Sequence, residues 1–517
     1  MNKRNIYIVL IVMLFSLSAN AQSEGKYRVI EEAFAQTLHK YTAHISDTLA
    51  EHMVKKHKND PELCVALARA YFRDREIKRA HNYLERALKI KPGYGSAYTA
   101  YGDIEYYYQR IDSAVYYYDK AIKSDPAYTK SYAKYAKIVG KTDPEKAVAV
   151  LQQAKKYDPN YPADVESASV WFSAEGVGNE TQLAKTIEHF ENADTMKMSK
   201  YDLGNYALAQ WMSQNYNRSL EICNYGLSRY PGFLTLARVR FYDEMGRKNY
   251  EGAEEAVNYL FNKVDSVDEK SYISRDYLNY AALYLTRNDM DNAARQIAKL
   301  YTCNDDDAME MREASNQLML DYTSQLEKEN KYAESEQAWK TFISKARPQD
   351  LDNSYYYYQL SESYRKHIIA LDKSSDATDK QTEIHRVADL LDGTYADLQT
   401  KYPKFEAELV AYLRAANQRQ FEDDQFTAGV AMPYYNRVIE IIEPLPEKTQ
   451  RQLTYLSGSY DYMAIYYFYH DDAPKAMTYA KRVLNIDPNN SNAQKIIDLM
   501  STKVGNTTKT TKSSKKR

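Results

Sequence analysis

The sequence has few residues that break helices. It contains 16 Gly and 14 Pro among 517 residues, and helix-forming residues such as Ala, Leu, Lys, Glu and Gln are frequent. Glycine and proline are the strongest interruptions of helical patterns, so their scarcity favours long helical stretches. The composition therefore predicts an all-α protein.

Cysteine is also scarce, with Cys64, Cys223 and Cys303 as the three copies. An odd number at wide, irregular spacing is not typical of a disulfide framework, and the lack of CxxC and of Cys/His pairing makes a zinc site improbable. Cys64 and Cys223 fall on apolar helix positions. We therefore expect these two to be small buried side chains, although a chain in an oxidising compartment could hold a disulfide.

Neither sign of charge is in excess, since 69 basic side chains stand against 71 acidic ones. This balance gives no overall attraction to nucleic acid or to an anionic membrane, and we expect no nucleic-acid partner. The exception is the polar, basic C-terminal tail, residues 505–517, which is predicted to be disordered. It is interpreted either as a solubilising tail or as a means of peripheral attachment to the cell envelope.

Motifs for catalysis are missing. The nine histidines include no HExxH and no i, i+4 pair, and the sequence contains no GxSxG, no P-loop and no GxGxxG. Carboxylates are numerous but scattered, as on any solvated helix face. The sequence thus predicts a protein that is not an enzyme and that has no cofactor and no metal site.

Long apolar runs are absent except at the N-terminus, where Ile6 to Leu17 follow the basic Lys3 and Arg4. A small-x-small pattern, Ala19-Asn20-Ala21, follows this stretch, which is shorter than the ~20 residues that span a membrane. Residues 1–21 are therefore predicted to be a signal peptide. We expect an exported, periplasmic protein with no transmembrane span.

Tyrosine is abundant, at 51 copies, and two tyrosine triplets lie in a segment that repeats. Residues 61–92 align with residues 95–126 at a spacing of 34. Leu67-Ala68 corresponds to Tyr101-Gly102, Ala80 to Ala114 and Leu84 to Tyr118. A third, shorter copy and three further copies downstream are recognisable, so the repeat covers most of the chain.

This pattern resembles the tetratricopeptide repeat (TPR), in which each unit consists of a helix A and a helix B. The resemblance implies an all-α, right-handed superhelical solenoid of antiparallel helix pairs. Small residues such as Gly102 and Ala114 let two helices cross closely, and large residues such as Tyr101 and Tyr118 should be buried. We expect N-terminal capping helices in residues 22–60, a regular superhelix in 61–302, an irregular TPR-like half in 303–490 and a C-terminal capping helix in 491–504.

The resemblance also implies that certain helix A residues line a concave groove. In the first three repeats these side chains are mainly basic and aromatic, which suits an extended peptide. The candidate groove residues are Arg69, Phe72, Arg73, Asp103, Tyr106, Tyr107, Lys130 and Lys137.

Two functions fit these observations. The first is an exported scaffold that binds proteins or peptides in its groove, in cell-envelope assembly or secretion. The alternative is a carbohydrate- or cell-wall-binding module, since tyrosine rings can stack on sugars. Tryptophan is the preferred ring for contacts with sugars, and the sequence contains only 3 Trp residues, which disfavours the alternative.

Overall fold

The computed structural model of the chain describes residues 23–175, 179–262, 271–374 and 379–513. The predicted signal peptide, residues 1–21, and the last four residues of the tail lie outside these ranges. The described residues form α-helices joined by short turns and no β-strand, which confirms the all-α prediction. The chain divides into an N-terminal unit, Met1–Val267, and a C-terminal unit, Asp268–Arg517. This division falls one helix pair before the break predicted at residue 303.

The N-terminal unit is a series of helix pairs, each packed on the next. Short turns make the two helices of a pair antiparallel, as in the predicted TPR-like solenoid. Its helices are α1 Ser23–Lys40, α2 Ala43–Lys56, α3 Pro61–Arg73, α4 Ile77–Ile90, α5 Gly95–Tyr107, α6 Ile111–Ser124, α7 Lys130–Val139, α8 Pro144–Ala154, α9 Ala163–Phe172, α10 Glu180–Glu191, α11 Lys200–Met212, α12 Tyr216–Arg229, α13 Leu234–Gly246 and α14 Tyr250–Asn262.

The C-terminal unit continues the pairing with longer helices and a π-helical turn, Phe342–Ala346, that follows α18 directly. Its last helix extends beyond residue 504, where the capping helix was predicted to end. Its helices are α15 Ser274–Leu285, α16 Met290–Thr302, α17 Ala308–Lys328, α18 Tyr332–Thr341, α19 Ser354–Lys373, α20 Lys380–Lys401, α21 Ala407–Glu422, α22 Met432–Ile442, α23 Gln450–Tyr469, α24 Ala473–Ile486 and α25 Ser491–Ser513.

The acidic segment after α16, at the boundary predicted between residues 302 and 303, forms a turn that contacts the start of α15. The Asp305 carboxylate accepts hydrogen bonds from the Ser274 backbone N–H (2.8 Å) and hydroxyl (2.7 Å) at the start of α15. The same arrangement occurs in the N-terminal unit, where Asp125 accepts a hydrogen bond from the Gly95 N–H at 3.0 Å. In both places a carboxylate from the following loop satisfies a free N–H at a helix N-terminus.

The turn from helix A to helix B recurs with one geometry in both units. After α3, for example, Arg75 has a φ of 64°, and the Glu76 N–H donates to the Tyr71 carbonyl at 2.9 Å. This six-to-one bond around a left-handed residue is the Schellman motif that ends many helices. Left-handed residues occupy the equivalent position of six other turns: Gln109, Gln214, Lys248, Asn288, Asn330 and Asp471.

Small residues bring the two helices of a pair together, as the repeat predicted. Ala80 and Ala114 are fully buried. A Cβ on Gly102 would lie 2.4 Å from the Tyr118 ring, so only glycine fits at this crossing without a shift. Tyr101 and Tyr118 are buried, at 9% and 2% exposure, which confirms their assignment to the core.

Within the described ranges, no helix combines the length and the apolar character that crossing a bilayer requires.

Candidate functional site

Two adjoining cavities open on the helix A side of the first repeats in the N-terminal unit. The first has a volume of about 420 Å³ and lies between α1, α3 and α5. The second has a volume of about 1040 Å³ and extends from α1 to the start of α7. Glu31 and Arg69 line both cavities, so the two are neighbouring parts of one groove.

The first cavity has an apolar floor. Ala68, Leu84, Ala100 and Ile104 are buried residues that line it. Phe72 is half-buried and meets Tyr107 edge to face, with ring centroids 5.3 Å apart. Tyr107 is 51% exposed, so its ring forms the open rim of the cavity. A floor of aliphatic carbons with an aromatic rim suits an apolar side chain.

Charged groups stand around this floor. The Arg73 guanidinium forms an ion pair with the Glu31 carboxylate, which α1 contributes. Asp103, on the opposite wall, accepts hydrogen bonds from the Tyr118 hydroxyl (2.7 Å) and the Lys134 ammonium (2.5 Å). Burial raises the pKa of Glu31 above its ordinary value, and the nearby Arg69 and Arg73 only partly oppose that effect.

The second cavity is lined by polar and aromatic groups whose partners lie within the cavity wall. The Tyr27 hydroxyl donates to Asp60 at 2.8 Å, and the Tyr94 hydroxyl donates to Glu62 at 2.5 Å. Burial, with the Asp60 hydrogen bond, raises the pKa of Tyr27 to about 12. Burial, with the Glu62 hydrogen bond, raises the pKa of Tyr94 as well, so both phenols stay protonated at physiological pH and act as hydrogen-bond donors.

Six of the eight candidate groove residues line these cavities. Arg69, Phe72, Arg73, Asp103 and Tyr107 line the first cavity, Arg69 also lines the second, and the exposed Lys130 lies on the wall of the second. Their convergence on one groove is consistent with the sequence prediction.

The other two candidates, Tyr106 and Lys137, line neither cavity. Tyr106 packs partly buried against Ala114, Tyr118 and Tyr135, so its ring belongs to the contact between repeats. Adjacent residues on a helix point about 100° apart, and only the Tyr107 ring reaches the groove. Lys137 is exposed one repeat further along, on α7.

Sequence reasoning missed several groove residues, among them Tyr27, Glu31, Tyr94 and Tyr128. Tyr27 and Glu31 come from the capping helix α1, which carries no repeat motif and packs against α3. Tyr94 and Tyr128 come from the residues before α5 and α7. These two are 34 apart, so the repeat itself contained the information needed to find them.

The burial predicted for Cys64 and Cys223 is confirmed. Cys64 and Cys223 are free and buried, and Cys303 is free and partly exposed. Among the residues that the structure describes, no cluster of His, Cys, Asp and Glu has a geometry that could hold a metal ion.

Comparison with solved structures gives neighbours that consist of helical repeats. The C-terminal part of a TPR repeat-containing protein from Cytophaga hutchinsonii is 17% identical over 57% of this chain and 99% of its own, with a TM-score of 0.29. PilF of Pseudomonas aeruginosa is 17% identical over 47% of this chain and 90% of its own, with a TM-score of 0.29. YrrB, a TPR protein with an unusual peptide-binding site, is 17% identical over 36% of this chain and 95% of its own, with a TM-score of 0.25.

No protein-family model matches this chain, and no curated protein matches it in sequence.

Proposed function

We propose that this chain is an exported scaffold that binds a protein or peptide partner in the groove of its N-terminal unit. The observation that carries the proposal is the pair of adjoining cavities, which share Arg69 and Glu31 and combine an apolar floor with charged walls. Such a surface can hold an extended segment by burying an apolar side chain and pairing its polar groups.

The proposed location is the periplasm, where the scaffold serves assembly or secretion at the cell envelope. Support comes from the basic, apolar and small-residue pattern of residues 1–21. Expression in a Gram-negative host tests this directly. We expect the protein in the osmotic-shock fraction with a mature N-terminus at Gln22, and recovery of the uncleaved chain in the cytosol would contradict the export.

Site-specific photocross-linking tests the groove. A photoreactive phenylalanine analogue at Tyr107 should form a discrete adduct in cells, and Arg69→Gln should abolish that adduct. The matched control places the analogue at Tyr116, a tyrosine of α6 that is 57% exposed and lines neither cavity. Equal adducts from both positions would show that the groove is not the binding surface.

The carbohydrate alternative is separated by calorimetry with soluble cell-wall fragments. The groove proposal expects no binding of these fragments. Micromolar binding that Tyr107→Ala abolishes, without a protein adduct in cells, would reverse the assignment.

A further inference from the structure

Resting on this function, we propose that the groove selects an extended peptide segment in which an acidic side chain stands beside a large apolar one. The apolar side chain enters the first cavity. The carboxylate takes the place beside Arg73 and Arg69 that the Glu31 carboxylate holds in this structure.

The apolar half of the site is built for one large side chain. The cavity volume of about 420 Å³ lies near the lower end of the range for ligand pockets. Its floor consists of helix residues of α3, α4 and α5 that are themselves buried, so the shape is fixed by the core of two repeats. Phe72 meets Tyr107 edge to face beside this floor, and the 51% exposed Tyr107 ring offers aromatic surface to a bound residue.

The acidic half is indicated by an internal carboxylate that already occupies it. Glu31 reaches from α1 across to α3, where it pairs with Arg73, and its side chain is 16% exposed. Glu31 is separated in sequence from Arg73, so this is a contact between the capping helix and the groove wall. The site therefore already holds one carboxylate beside a guanidinium group. A peptide carboxylate that displaces Glu31 keeps the local charge unchanged and lets Glu31 turn toward solvent.

Arg69 has bonding capacity left for such a ligand. Its guanidinium contacts Ser96 and Tyr128 at 3.4 Å each and Glu62 at 3.6 Å. Glu62 makes its short bond, 2.5 Å, to the Tyr94 hydroxyl instead. Charge-assisted hydrogen bonds from arginine to carboxylate are about 2.7–2.9 Å long. All three present contacts of Arg69 are longer, so a ligand carboxylate could form a shorter hydrogen bond with Arg69 than any of them.

The charge balance also favours an acid over a base. Three arginines line the first cavity, Arg69, Arg73 and Arg75, against the carboxylates Glu31 and Asp103. Asp103 is already neutralised by Lys134 at 2.5 Å. A basic peptide residue would find no uncompensated carboxylate in the first cavity, whereas an acidic residue meets the excess of guanidinium groups.

Selection from a phage-displayed library of random dodecapeptides tests the proposal. The full chain is the target, and Arg69→Gln/Phe72→Ala protein serves for counter-selection, so that only groove-dependent peptides are kept. We expect enrichment of Asp or Glu within two positions of Phe, Tyr, Leu or Trp. In calorimetry, replacing that acid by its amide should weaken binding about tenfold, as for loss of a charge-assisted hydrogen bond.

The variant Glu31→Gln tests the acidic half of the site more directly. It removes the competing negative charge and keeps a side chain of nearly the same size. We expect it to tighten binding of the selected acidic peptide about threefold, the scale of one partly exposed ion pair. The matched control is Glu51→Gln, which breaks another ion pair between helices, with Arg86, away from both cavities. This control should leave the affinity unchanged.

Two failures are distinguishable. Groove-dependent peptides without an acidic residue, or weaker acidic-peptide binding by Glu31→Gln, would overturn the proposed specificity while leaving groove binding intact. A selection that yields no groove-dependent peptide, together with no adduct at Tyr107, would overturn the proposed function itself.

Discussion

Both units consist of antiparallel helix pairs, but the lengths of their helices differ. After the capping pair, helices α3 to α14 of the N-terminal unit have 10–14 residues. In the C-terminal unit, α17, α19, α20 and α23 have 20–22 residues. A fixed spacing of 34 requires uniform short helices, so the sequence repeat fades where helices lengthen, although the pairing continues.

The units also differ in how they satisfy local demands. In the N-terminal unit, Gly102 lets two helices approach closely, and the left-handed turns contain Arg, Gln and Lys. Within the described residues, the buried Asp243 carboxylate has one oxygen without a hydrogen-bond partner. The C-terminal unit buries Trp339, has a helical glycine, Gly393, in open space, places Asn and Asp in the turns, and gives the buried Asp423 carboxylate backbone donors. These contrasts give four predictions on stability.

The largest effect is expected in the aromatic core of the C-terminal unit. Trp339 is 2% exposed and contacts Phe342 and Tyr356, with ring centroids 6.1 and 6.3 Å away. Trp339→Ala should cost about 4 kcal/mol, because large-to-small core substitutions leave a cavity. Hydrogen exchange should show the loss of protection in α16 to α20. An equal loss in α3 to α6 would contradict the division into two units.

Two glycines in helices should respond to alanine with opposite signs. Gly102→Ala should destabilise by about 3 kcal/mol, because its Cβ would meet the buried Tyr118 ring at 2.4 Å. Gly393→Ala in α20 should stabilise by about 1 kcal/mol, since nothing lies within 4 Å and alanine favours helix. Chemical denaturation of both variants measures the change in the free energy of unfolding. Changes of the same sign in the two variants would contradict this prediction.

Two buried aspartates should also diverge. Asp243 is fully buried, the Cys223 thiol donates to its Oδ2 at 3.8 Å, and no partner for its Oδ1 occurs within the described ranges. Burial raises its pKa from 3.8 to about 8. The folded state therefore binds the proton more tightly than the unfolded state, and this residue lowers stability as pH rises from about 4 to about 8.

Asp243→Asn should remove that pH dependence and stabilise the chain by about 2 kcal/mol above pH 8, the scale of an unsatisfied buried group. The comparison is Asp423, which accepts from the Ala428 and Gly429 N–H groups at 3.1 and 3.3 Å and from the Tyr462 hydroxyl. Asp423→Asn should destabilise the chain instead. Melting temperatures recorded between pH 5 and 9 measure both effects, and a pH profile unchanged by Asp243→Asn would refute this account.

The smallest effect concerns the left-handed turns. Gln109 has a φ of 58° and Asn330 a φ of 60°. Asparagine tolerates this region better than glutamine does, and glycine has no penalty there. Gln109→Gly should therefore stabilise by up to about 1 kcal/mol, and Asn330→Gly by less. Thermal unfolding would contradict this reasoning if Asn330→Gly gave the larger gain.

The repeat made several of these features predictable. Tyr101 and Tyr118 were assigned to the core from their positions in the 34-residue pattern, and both are buried. Tyr106 and Tyr107 were assigned together to the groove, but only Tyr107 lines it. Their difference depends on where α6 and α7 pack, which a single helix pattern does not contain.

The sequence by itself determined the all-α class, the helix pairs and their small-residue crossings, because these follow from spacings within one or two helices. Only the tertiary structure decided which residues of the capping helix complete the groove. The capping helix α1 packs against α3 and brings Tyr27 and Glu31 to Arg69 and Arg73, contacts between segments with no shared motif. Such contacts depend on how helices stack, and stacking is set by the shapes of all the buried side chains together.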